Sequence, residues 1–594
     1  MSIKQEVMSD EMLSQQLAEQ SALTRLLNAY LREVHGTPVT GNRLELELPF
    51  TRRMMLLEFS HISAGGHHRY VFPLTGRDAN EEREVYSLNS RNAIEWLLAE
   101  VGASDSDTLT AVGRIADLRN QIYNSIDKTT FYVLQRLQHD QQQSPGGAVE
   151  YQNYSVLRSE QSLLFGHPFH PTPKSSEGFT EDDLRRYAPE MHASFQLTWF
   201  AVHPELFREE WLEGSALKSD WQNEEDKRQE EIKALYQLHG RNAEDTAALT
   251  SYRLLPTHPW QSEYLLQQAK VRSWIQSGKL KFLGSLGPEQ YPTSSVRTVW
   301  SPEQSFYLKL PIHVRITNFI RTNNEEQYKR SLDAARIWAA VEPAFLYPGF
   351  GILQEHGMVS LSDSTLSEEF TVLVRASLPG AQSRDEAWHV AASLLEDELS
   401  APEYLPLSRI TALEWIKGYV DVYVIPILQL YAEYGISLEA HVQNTLIRIQ
   451  SGVPTGCYVR DLEGVSVCRN KAEESGWVNH TIGEDSPVLS DSEETWKRWL
   501  YYNVTNHLSH MVAAVSRSSH TEERELWRET AQALSTQAEN RVPSLQAWIN
   551  RLIDTPALPA KANLISRFHQ HGEQPLYVDI PNPLHGSYNK KVSQ

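Results

Sequence analysis

The sequence predicts a mixed α+β fold built from several domains, and three patterns support this prediction. Apolar and polar residues alternate over residues 44–48 and 306–316, which is typical of half-buried strands. Apolar residues recur at helical spacing over about the first 35 residues and again over residues 496–515. The length of 594 residues is enough for about three or four domains of roughly 150 residues each.

The first of these domains is predicted over residues 1–147. An amphipathic helix is followed by the alternating strand and by a hairpin whose arms flank Gly65 and Gly66. Helical spacing returns over residues 92–137, and the segment QHDQQQSPGG at 138–147 is typical of a linker. No chemistry is indicated here, so the domain is expected to serve as packing or as a wall.

Composition excludes several classes of function. The formal net charge is -21 and no extended basic segment occurs, which argues against nucleic acid or an anionic membrane as the main partner. Cys457 and Cys468 are too few for a disulfide framework and lack zinc-ligand spacing, so we expect a cytoplasmic protein. The acidic start lacks the features of a secretory signal. The most apolar segment, 422–432, is about half the length that a membrane helix needs and predicts a buried core helix.

A second domain, over residues 148–385, begins with a proline-stiffened loop. The sequence FGHPFHPTPKSSEGF holds His167, His170 and Lys174 on an irregular backbone. Two histidines three positions apart suggest a metal, but no third ligand follows nearby. A capped loop of structural prolines is the competing interpretation.

The same domain carries a concentration of positive charge. Within residues 297–321 of an acidic chain, a strand predicted at 306–317 and its neighbours gather Arg297, Lys309, Arg315 and Arg321. Hydroxyl and amide groups accompany them, and these are Ser294, Ser295, Thr298 and Asn318. Guanidinium, ammonium and hydroxyl donors together predict a site for phosphate or carboxylate. The alternative is a solvated strand face whose cations pair with surface acids. Farther on, Val372–Ala376 is predicted as a core strand in which Arg375 needs a buried partner or ligand.

The third domain, over residues 386–594, is mostly helical and contains a predicted hairpin at 435–464. Asn444 lies at the start of its first strand and Asp461 at the end of its second, so two oxygen ligands meet. Magnesium bound with a nucleotide needs few protein ligands of this kind, and protein kinases use an Asn and an Asp in this way. The pattern therefore predicts a site for ATP and Mg²⁺. Turn-forming and capping residues at a hairpin are the simpler alternative.

Six motifs, taken in order, extend over about residues 160–590. They are the HPxHPxxK loop, THPWQ, SSVRT, the KLP strand, EAHxQN and RDLEG. In this order they resemble the siderophore synthetases that work without a peptide-synthetase template, the aerobactin and achromobactin synthetase family. The resemblance implies a three-domain cupped hand, with a thumb over 1–147, fingers over 148–385 and a kinase-like palm over 386–594. It places the ATP site between the middle and C-terminal domains.

The resemblance also implies a reaction. A carboxylate of citrate, or of a close relative, attacks the α-phosphate of ATP, pyrophosphate leaves, and an amine or alcohol captures the acyl group of the adenylate. Ser175, Ser176 and Glu177 replace a basic residue common in members that accept a partly built siderophore, which favours free citrate. The nucleophile stays open. A homodimer is expected from the resemblance alone.

Carried over by position, the resemblance assigns twelve site residues. Phosphates are expected to contact Ser295, Arg297, Thr298 and Lys309, with His170 and Asn318 beside them. Magnesium is expected at Glu439, Asn444 and Asp461. The carboxylate substrate is expected to face Arg321, His441 and Lys561. His441 is the nearby side chain that could act as a base near neutral pH, although it could instead only hydrogen-bond the acyl oxygen.

Two other functions compete with the synthetase. A small-molecule phosphotransferase would use the same hairpin to transfer the γ-phosphate, and it would form ADP instead of AMP and pyrophosphate. A non-catalytic binder of citrate or of a finished siderophore would explain the cations but not the pairing of Asn444 with Asp461.

Overall fold

The protein is described by a computed structural model, and the described residues are 8–36, 39–78, 85–142, 155–238, 251–317, 319–380, 387–399, 404–571 and 576–586. The junctions predicted at 147 and 385 and the site residue Asn318 lie outside these ranges. The division into three domains therefore stays a prediction.

The N-terminal part has the predicted helix, hairpin and helices, and its sheet is antiparallel. Its elements are α1 (Asp10–Tyr30), β1 (Arg43–Leu48), β2 (Arg53–His61), β3 (Arg69–Tyr70), β4 (Leu74–Asp78), β5 (Tyr86–Leu88), α2 (Ser90–Ala103) and α3 (Thr108–Gln142). The strand order is β1-β2-β4-β5, with β3 on β2. Leu46 and Leu48 are buried while Glu45 and Glu47 of the same strand are not, as the alternation predicts.

The middle part is built on an eight-stranded sheet. Its elements are α4 (Ser155–Glu160), β6 (Ser176–Glu177), α5 (Glu181–Tyr187), β7 (Phe195–Val202), β8 (Phe207–Trp211), α6 (Ala216–Leu238), β9 (Arg253–Thr257), α7 (Pro259–Leu266), α8 (Ala269–Gln276), β10 (Leu280–Pro292), β11 (Thr298–Trp300), β12 (Phe306–Lys309), β13 (Ile312–Ile316), β14 (Phe319–Arg321), α9 (Glu325–Val341), β15 (Phe350–Leu353), β16 (Glu355–Leu361) and β17 (Val372–Ala376). The strand order is β8-β16-β17-β12-β11-β10-β7-β9.

The strand predicted at 306–317 is not continuous, so that prediction is wrong. It breaks at Leu310 and Pro311 into β12, in the eight-stranded sheet, and β13, in a three-stranded sheet with β14 and β6. Proline has no N–H to donate to a neighbouring strand, which accounts for a break at this position. One consequence is that Lys309 lies inside a sheet that is buried on both faces.

The C-terminal part contains the predicted hairpin and core helix. Its elements are β18 (Trp388–Val390), α10 (Arg409–Tyr419), α11 (Ile425–Tyr434), β19 (Ile436–Ser437), β20 (Thr445–Gln450), β21 (Val453–Arg460), β22 (Ser466–Cys468), α12 (Arg469–Glu474), β23 (Leu489–Ser490), α13 (Ser492–Trp499), α14 (Ser509–Ser519), α15 (Glu523–Asn540), α16 (Gln546–Asp554), β24 (Ala557–Lys561), α17 (Asn563–Phe568) and β25 (Tyr577–Pro581). β20 and β21 form the hairpin, and β15 joins β21 in parallel, so this sheet has the order β15-β21-β20-β18.

Two long-range connections position the site. Leu564 and Phe568 of α17 pack in the same apolar core as α1 and the N-terminal sheet, so the end of the chain returns to its beginning. A π-helical segment, Leu500–Leu508, joins α13 to α14, and its Thr505 hydroxyl donates to the carbonyl of Pro559 in β24 at 2.9 Å. Within the described ranges, none of the helices has the length and apolar character needed to cross a bilayer.

Candidate active site

A cavity of about 1040 Å³ opens where the N-terminal, middle and C-terminal parts meet. Ten of the twelve residues expected from the sequence line it, namely His170, Ser295, Arg297, Lys309, Arg321, Glu439, His441, Asn444, Asp461 and Lys561. Thr298 is buried in β11 and is not part of the lining, although its backbone N–H is bound by the Ser295 hydroxyl at 3.1 Å. The separate stretches of sequence that were expected to converge therefore do so.

Lys309 and Asp461 make a contact between the middle and C-terminal parts inside the cavity. Lys309 Nζ donates to Asp461 Oδ1 at 2.6 Å and to Glu463 Oε2 at 2.7 Å. The lysine side chain is only 1% exposed, whereas those of Asp461 and Glu463 are 24% and 28% exposed. Asp461 follows β21 with a φ of 69°, a left-handed conformation that non-glycine residues seldom adopt.

Arg297 and Arg375 support this contact from the eight-stranded sheet. Arg297 Nη1 donates to the Thr322 carbonyl at 2.8 Å and to Asn323 Oδ1 at 2.6 Å, which fixes the guanidinium at the cavity wall. Arg375 has the buried partner that its position in a core strand requires. It pairs with Glu355 at 2.6 Å and with Asp461 at 3.2 Å.

The charges around the cavity shift the pKa values of its groups. Burial alone would raise the pKa of the Asp461 carboxyl, but Lys309 and Arg375 outweigh burial and hold that pKa well below its usual range. Burial lowers the pKa of Arg321 to about 10, and the nearby charge of Arg297 contributes to this shift. Asp461 is thus ionised at neutral pH.

The loop before β20 brings three further site residues to Asp461. Asn444 lies opposite Arg460, whose N–H donates to the Asn444 carbonyl at 2.9 Å. Glu439 packs against the turn that follows Asp461, because a Cβ on Gly464 would stand 2.0 Å from Glu439 Oε2. A side chain at position 464 would therefore displace this carboxylate.

His441 is neutral in this environment and its tautomer can be assigned. Burial lowers its pKa, against the opposing charges of Glu439 and Asp461. The N–H of Gln443 donates to His441 Nδ1 at 3.2 Å, so in the neutral ring the proton is on Nε2, which lies 3.7 Å from Glu439 Oε1.

Lys561, at the end of β24, is held by aromatic residues of the π-helical segment. Its Nζ donates to the Tyr502 hydroxyl at 2.9 Å and lies over the rings of Tyr501 and Tyr502. The β24–β25 pair and the packing of α17 on the N-terminal core fix the position of this lysine.

One sequence interpretation is wrong. Arg315 was counted among the cations of the site, but it forms an ion pair with Glu177 at 3.5 Å and is not part of the cavity lining. In the proline-rich loop, Phe169 N–H donates to His167 Nδ1 at 3.1 Å, and His167 Nε2 lies 3.0 Å from Asn506 Nδ2. Both nitrogens of His167 therefore have a polar neighbour within hydrogen-bond distance.

The N-terminal part, which was expected to serve as packing or as a wall, also contributes charged residues to the cavity. Arg25 and Arg69 line the cavity, and both pair with Glu398 at 3.2 Å. Arg517, from α14, joins them through Asp397 at 2.7 Å. The run of three acids at 396–398 is the signal that could have indicated a cationic partner here.

The donor set of the cavity suits magnesium brought in with a nucleotide. Within the described part of the chain, no group of three or more His, Cys, Asp and Glu side chains is placed to hold a metal by itself. Asp461, Asn444 and Glu439 offer hard oxygen donors, and the Lys309 ammonium shows that a cation is accommodated against Asp461.

Comparison with known proteins gives two family models that match separate segments of the chain. The model of the IucA / IucC family matches residues 155–396, and the model described as ferric iron reductase FhuF-like transporter matches residues 413–576. The L-2,3-diaminopropanoate–citrate ligase of Staphylococcus aureus is 36% identical over 97% of this chain and 98% of its own length. The spermidine–citrate ligase of Bacillus anthracis is 28% identical over 96% and 98% of the two chains.

Among solved structures, the ATP-bound aerobactin synthetase IucA of Klebsiella pneumoniae has a TM-score of 0.76 at 23% identity, and the match covers 95% of this chain and 99% of that chain. This likeness establishes the mixed α+β fold. Because the S. aureus ligase is 36% identical along nearly the whole chain and the middle segment matches the family model, the chain belongs to the IucA/IucC family of siderophore synthetases, which are ligases.

Proposed function

We propose that the chain joins a carboxylate of citrate to an amine in an ATP-dependent reaction that passes through an acyl-adenylate. The contact between Lys309 and Asp461 carries this proposal, because it brings cations of the middle part and oxygen donors of the C-terminal part to one cavity. Full-length likeness to two ligases named for citrate and an amine supports the choice of substrates.

In the first step, the chain must bring two strongly anionic molecules together. Arg297, Lys309 and Arg321 neutralise their charge, and the Ser295 hydroxyl offers a further donor. A carboxylate oxygen of citrate forms a bond to the α-phosphorus, the bond from that phosphorus to the bridging oxygen breaks, and pyrophosphate leaves. Holding the pair in an attacking orientation recovers on the order of 7 to 11 kcal/mol of the barrier.

In the second step, the neutral amine attacks the acyl carbon, the bond to the adenylate oxygen breaks, AMP leaves, and the ammonium proton of the new amide is lost. His441, with its proton on Nε2, suits a donor to the acyl oxygen better than a base. Lys561 faces the carboxylates of citrate, held in place by Tyr502. His170 supports the phosphates from the proline-rich loop, and Asn318 and Thr298 are assigned there by resemblance.

Magnesium, when bound with ATP, supplies positive charge to the phosphates. Asp461 and Asn444 are the residues proposed to hold it, with Glu439 beside them. Two observations support this assignment: these side chains offer oxygen donors, and the Lys309 ammonium already lies against Asp461.

The finer architecture is also part of the proposal. We assign the thumb, fingers and kinase-like palm of a cupped hand to residues 1–147, 148–385 and 386–594. The cavity is lined by all three parts, which supports this arrangement. Cys457 and Cys468 are both free and buried, which supports a cytoplasmic location. A homodimer stays a prediction from the resemblance.

The test is to incubate the full chain with ATP, Mg²⁺ and citrate, with hydroxylamine as a small general nucleophile, and to measure AMP, pyrophosphate and citrate hydroxamate. We expect all three products, each dependent on citrate. Formation of ADP would instead support the phosphotransferase, and citrate binding without nucleotide cleavage would support the binder. L-2,3-Diaminopropanoate and spermidine, tested next as nucleophiles, identify the amine class.

A matched pair of variants links this activity to the cavity. Arg297→Met removes a cation from the lining, whereas Arg315→Met removes a cation eighteen positions along the chain that is paired with Glu177 outside it. We expect the first to lower pyrophosphate release at least about 100-fold, the size of effect typical of losing a charge-stabilising donor. The second is expected to leave it unchanged. Equal effects of the two substitutions would contradict the assigned site.

A further inference from the structure

The Lys309 ammonium occupies the position between two carboxylates where a metal ion would be expected. Its Nζ is 2.6 Å from Asp461 Oδ1 and 2.7 Å from Glu463 Oε2. The two acids are separated by one residue, and both line the cavity. Glu463 has no role in the function proposed above.

Both carboxylates are held in place by other residues. Gln327, at the start of α9, donates to Glu463 Oε1 at 2.7 Å, and the capping box that Gln327 forms with Asn324 fixes it at the helix N-terminus. Arg375 holds Asp461 from the opposite side at 3.2 Å. If Lys309 moved away, the two acids would keep their positions, and the cations left beside them would be Arg375, 3.2 Å from Asp461, and Arg297, 3.8 Å from Glu463.

The carboxylates are more exposed to the cavity than the lysine, although all three side chains line it. Asp461 and Glu463 keep about a quarter of their side-chain surface exposed, whereas Lys309 is almost fully buried beneath them. A divalent cation approaching from the cavity would meet two acids already paired with Lys309, Arg375 and Arg297, and it would be repelled by the charge of these cations. Metal alone should therefore bind poorly.

We propose that Lys309 is a stand-in cation that closes a metal site formed by Asp461 and Glu463 until a nucleotide binds. The phosphates of the nucleotide draw the ammonium away, and the two carboxylates that it leaves take the metal, with Glu463 as an additional metal ligand. Metal binding in this enzyme then requires nucleotide. The inference rests on the proposed function only in that the cavity accepts ATP, and it does not depend on citrate.

The test is a binding measurement on the full chain with Mn²⁺ as the probe, followed by its paramagnetic resonance signal. The nucleotide is α,β-methylene ATP, which cannot be cleaved at the bond that adenylation breaks. Free Mn²⁺ should bind the wild type at least tenfold more weakly without the analogue than with it, after correction for the complex of Mn²⁺ with the analogue. In Lys309→Met, Mn²⁺ affinity without nucleotide should rise at least tenfold.

Three further variants make the test specific. The double variant Lys309→Met/Glu463→Gln should not show the rise in Mn²⁺ affinity expected for Lys309→Met, because one of the two carboxylates has been neutralised. Lys329→Met removes a lysine of α9 whose partner is Glu325, an exposed surface pair, and should leave Mn²⁺ affinity unchanged. Glu463→Gln alone keeps the shape of the side chain and should lower Mn²⁺ binding in the presence of the analogue several-fold. This variant tests Glu463 as a metal ligand even if Lys309→Met does not fold.

Tight Mn²⁺ binding by the wild type without nucleotide, or no gain in Lys309→Met with no loss in Glu463→Gln, would overturn the proposal. Pyrophosphate release with citrate is measured in parallel on the wild type. If that activity is absent while the pattern of Mn²⁺ binding holds, the proposed reaction fails and the closed metal site stands. If pyrophosphate is released with citrate while the pattern of Mn²⁺ binding is not observed, the closed metal site fails and the proposed reaction stands.

Discussion

Asp461 combines a strained backbone with a carboxylate that pairs with two cations. Its φ of 69° lies in the left-handed region, and its carboxylate contacts Lys309 and Arg375. Strain of this kind costs on the order of 1–3 kcal/mol and persists where the surroundings impose it.

Replacing Asp461 with Asn separates the charge from the backbone conformation. Asn adopts the left-handed region at least as readily as Asp, so the turn should be kept. Lys309 retains Glu463 and Arg375 retains Glu355, so neither cation is left unpaired. We expect pyrophosphate release with citrate to fall about 100-fold or more with an unchanged melting temperature. A variant that melts early, or that stays active, would show that the carboxylate serves the fold alone.

His441 allows a test of donor against base. Because its Nδ1 accepts from Gln443, the ring presents an N–H at Nε2, and a glutamine side chain can present an N–H from a similar position. His441→Gln is therefore expected to keep about a tenth or more of the rate of both steps, while His441→Ala loses both by roughly 100-fold. Hydroxamate formation and pyrophosphate release report the two steps. If both variants lose only capture of the amine, and equally, His441 is the base.

At the scale of single residues, the sequence predicts that a charged side chain requires a partner, but it does not predict which residue that partner is. That Arg375 requires a buried partner follows from the cost of burying an unpaired charge, and Glu355 and Asp461 supply it. The prediction for Arg315 was wrong because alternation tells which face of a strand a residue occupies, but not which neighbour covers that face. Glu177, on the strand β6 that pairs with β13, was not predictable from the alternation.

At the scale of elements, the hairpin was predictable and the broken strand was not. The turn at Ser451–Gly452 between two apolar runs specifies β20 and β21 locally. In the segment 306–316 the alternation continues through Pro311, although the backbone changes sheet there. This change buries Lys309, which the continuous strand would have placed on a polar face.

The turn after β21 gives an element-scale prediction. Gly464→Ala would place a Cβ 2.0 Å from Glu439 Oε2 and 2.5 Å from its Cβ, so the whole Glu439 side chain must move. We expect pyrophosphate release to fall at least about tenfold, since displacing a group by about 1 Å can cost 100-fold. The control is Gly113→Ala in α3, where a Cβ meets nothing within 4 Å. It should leave activity unchanged and stabilise the chain by about 1 kcal/mol.

At the scale of the whole molecule, the cavity depends on contacts that no local pattern encodes. Arg25 and Arg69 reach Glu398 across 373 and 329 positions of sequence. The predicted α+β class and the convergence of the middle and C-terminal residues could be obtained from periodicity and ordered motifs. The closing of the cavity by the N-terminal part could not, because it is fixed by the packing of α17 on that domain's core.

Burial of histidines predicts how the whole molecule responds to acid. Within the described ranges, ten histidines have a pKa lowered by burial, and they are His67, His68, His167, His192, His258, His356, His389, His441, His507 and His510. Below their unfolded pKa of about 6.5, the unfolded chain binds protons that the folded chain does not. Stability is therefore complete above that pH and is lost as the pH falls towards the folded values, which are about 3 to 4 where the shift is largest. Burial raises the pKa of Glu33 to about 8, so this carboxyl contributes stability that is lost as the pH rises. The histidines, which act in the opposite direction, outnumber it.

We expect the urea midpoint of unfolding to be lower at pH 5.5 than at pH 7.5, with each histidine contributing up to about 1.4 kcal/mol per pH unit. His258→Asn tests the cause. His258 is buried and its Nδ1 caps α7 by accepting from Trp260 N–H at 3.1 Å, a role that Asn fills well. The variant should bind about one proton fewer on unfolding at pH 5.5. A midpoint that does not depend on pH over this range, or an unchanged slope in His258→Asn, would contradict the assignment of acid sensitivity to buried imidazoles.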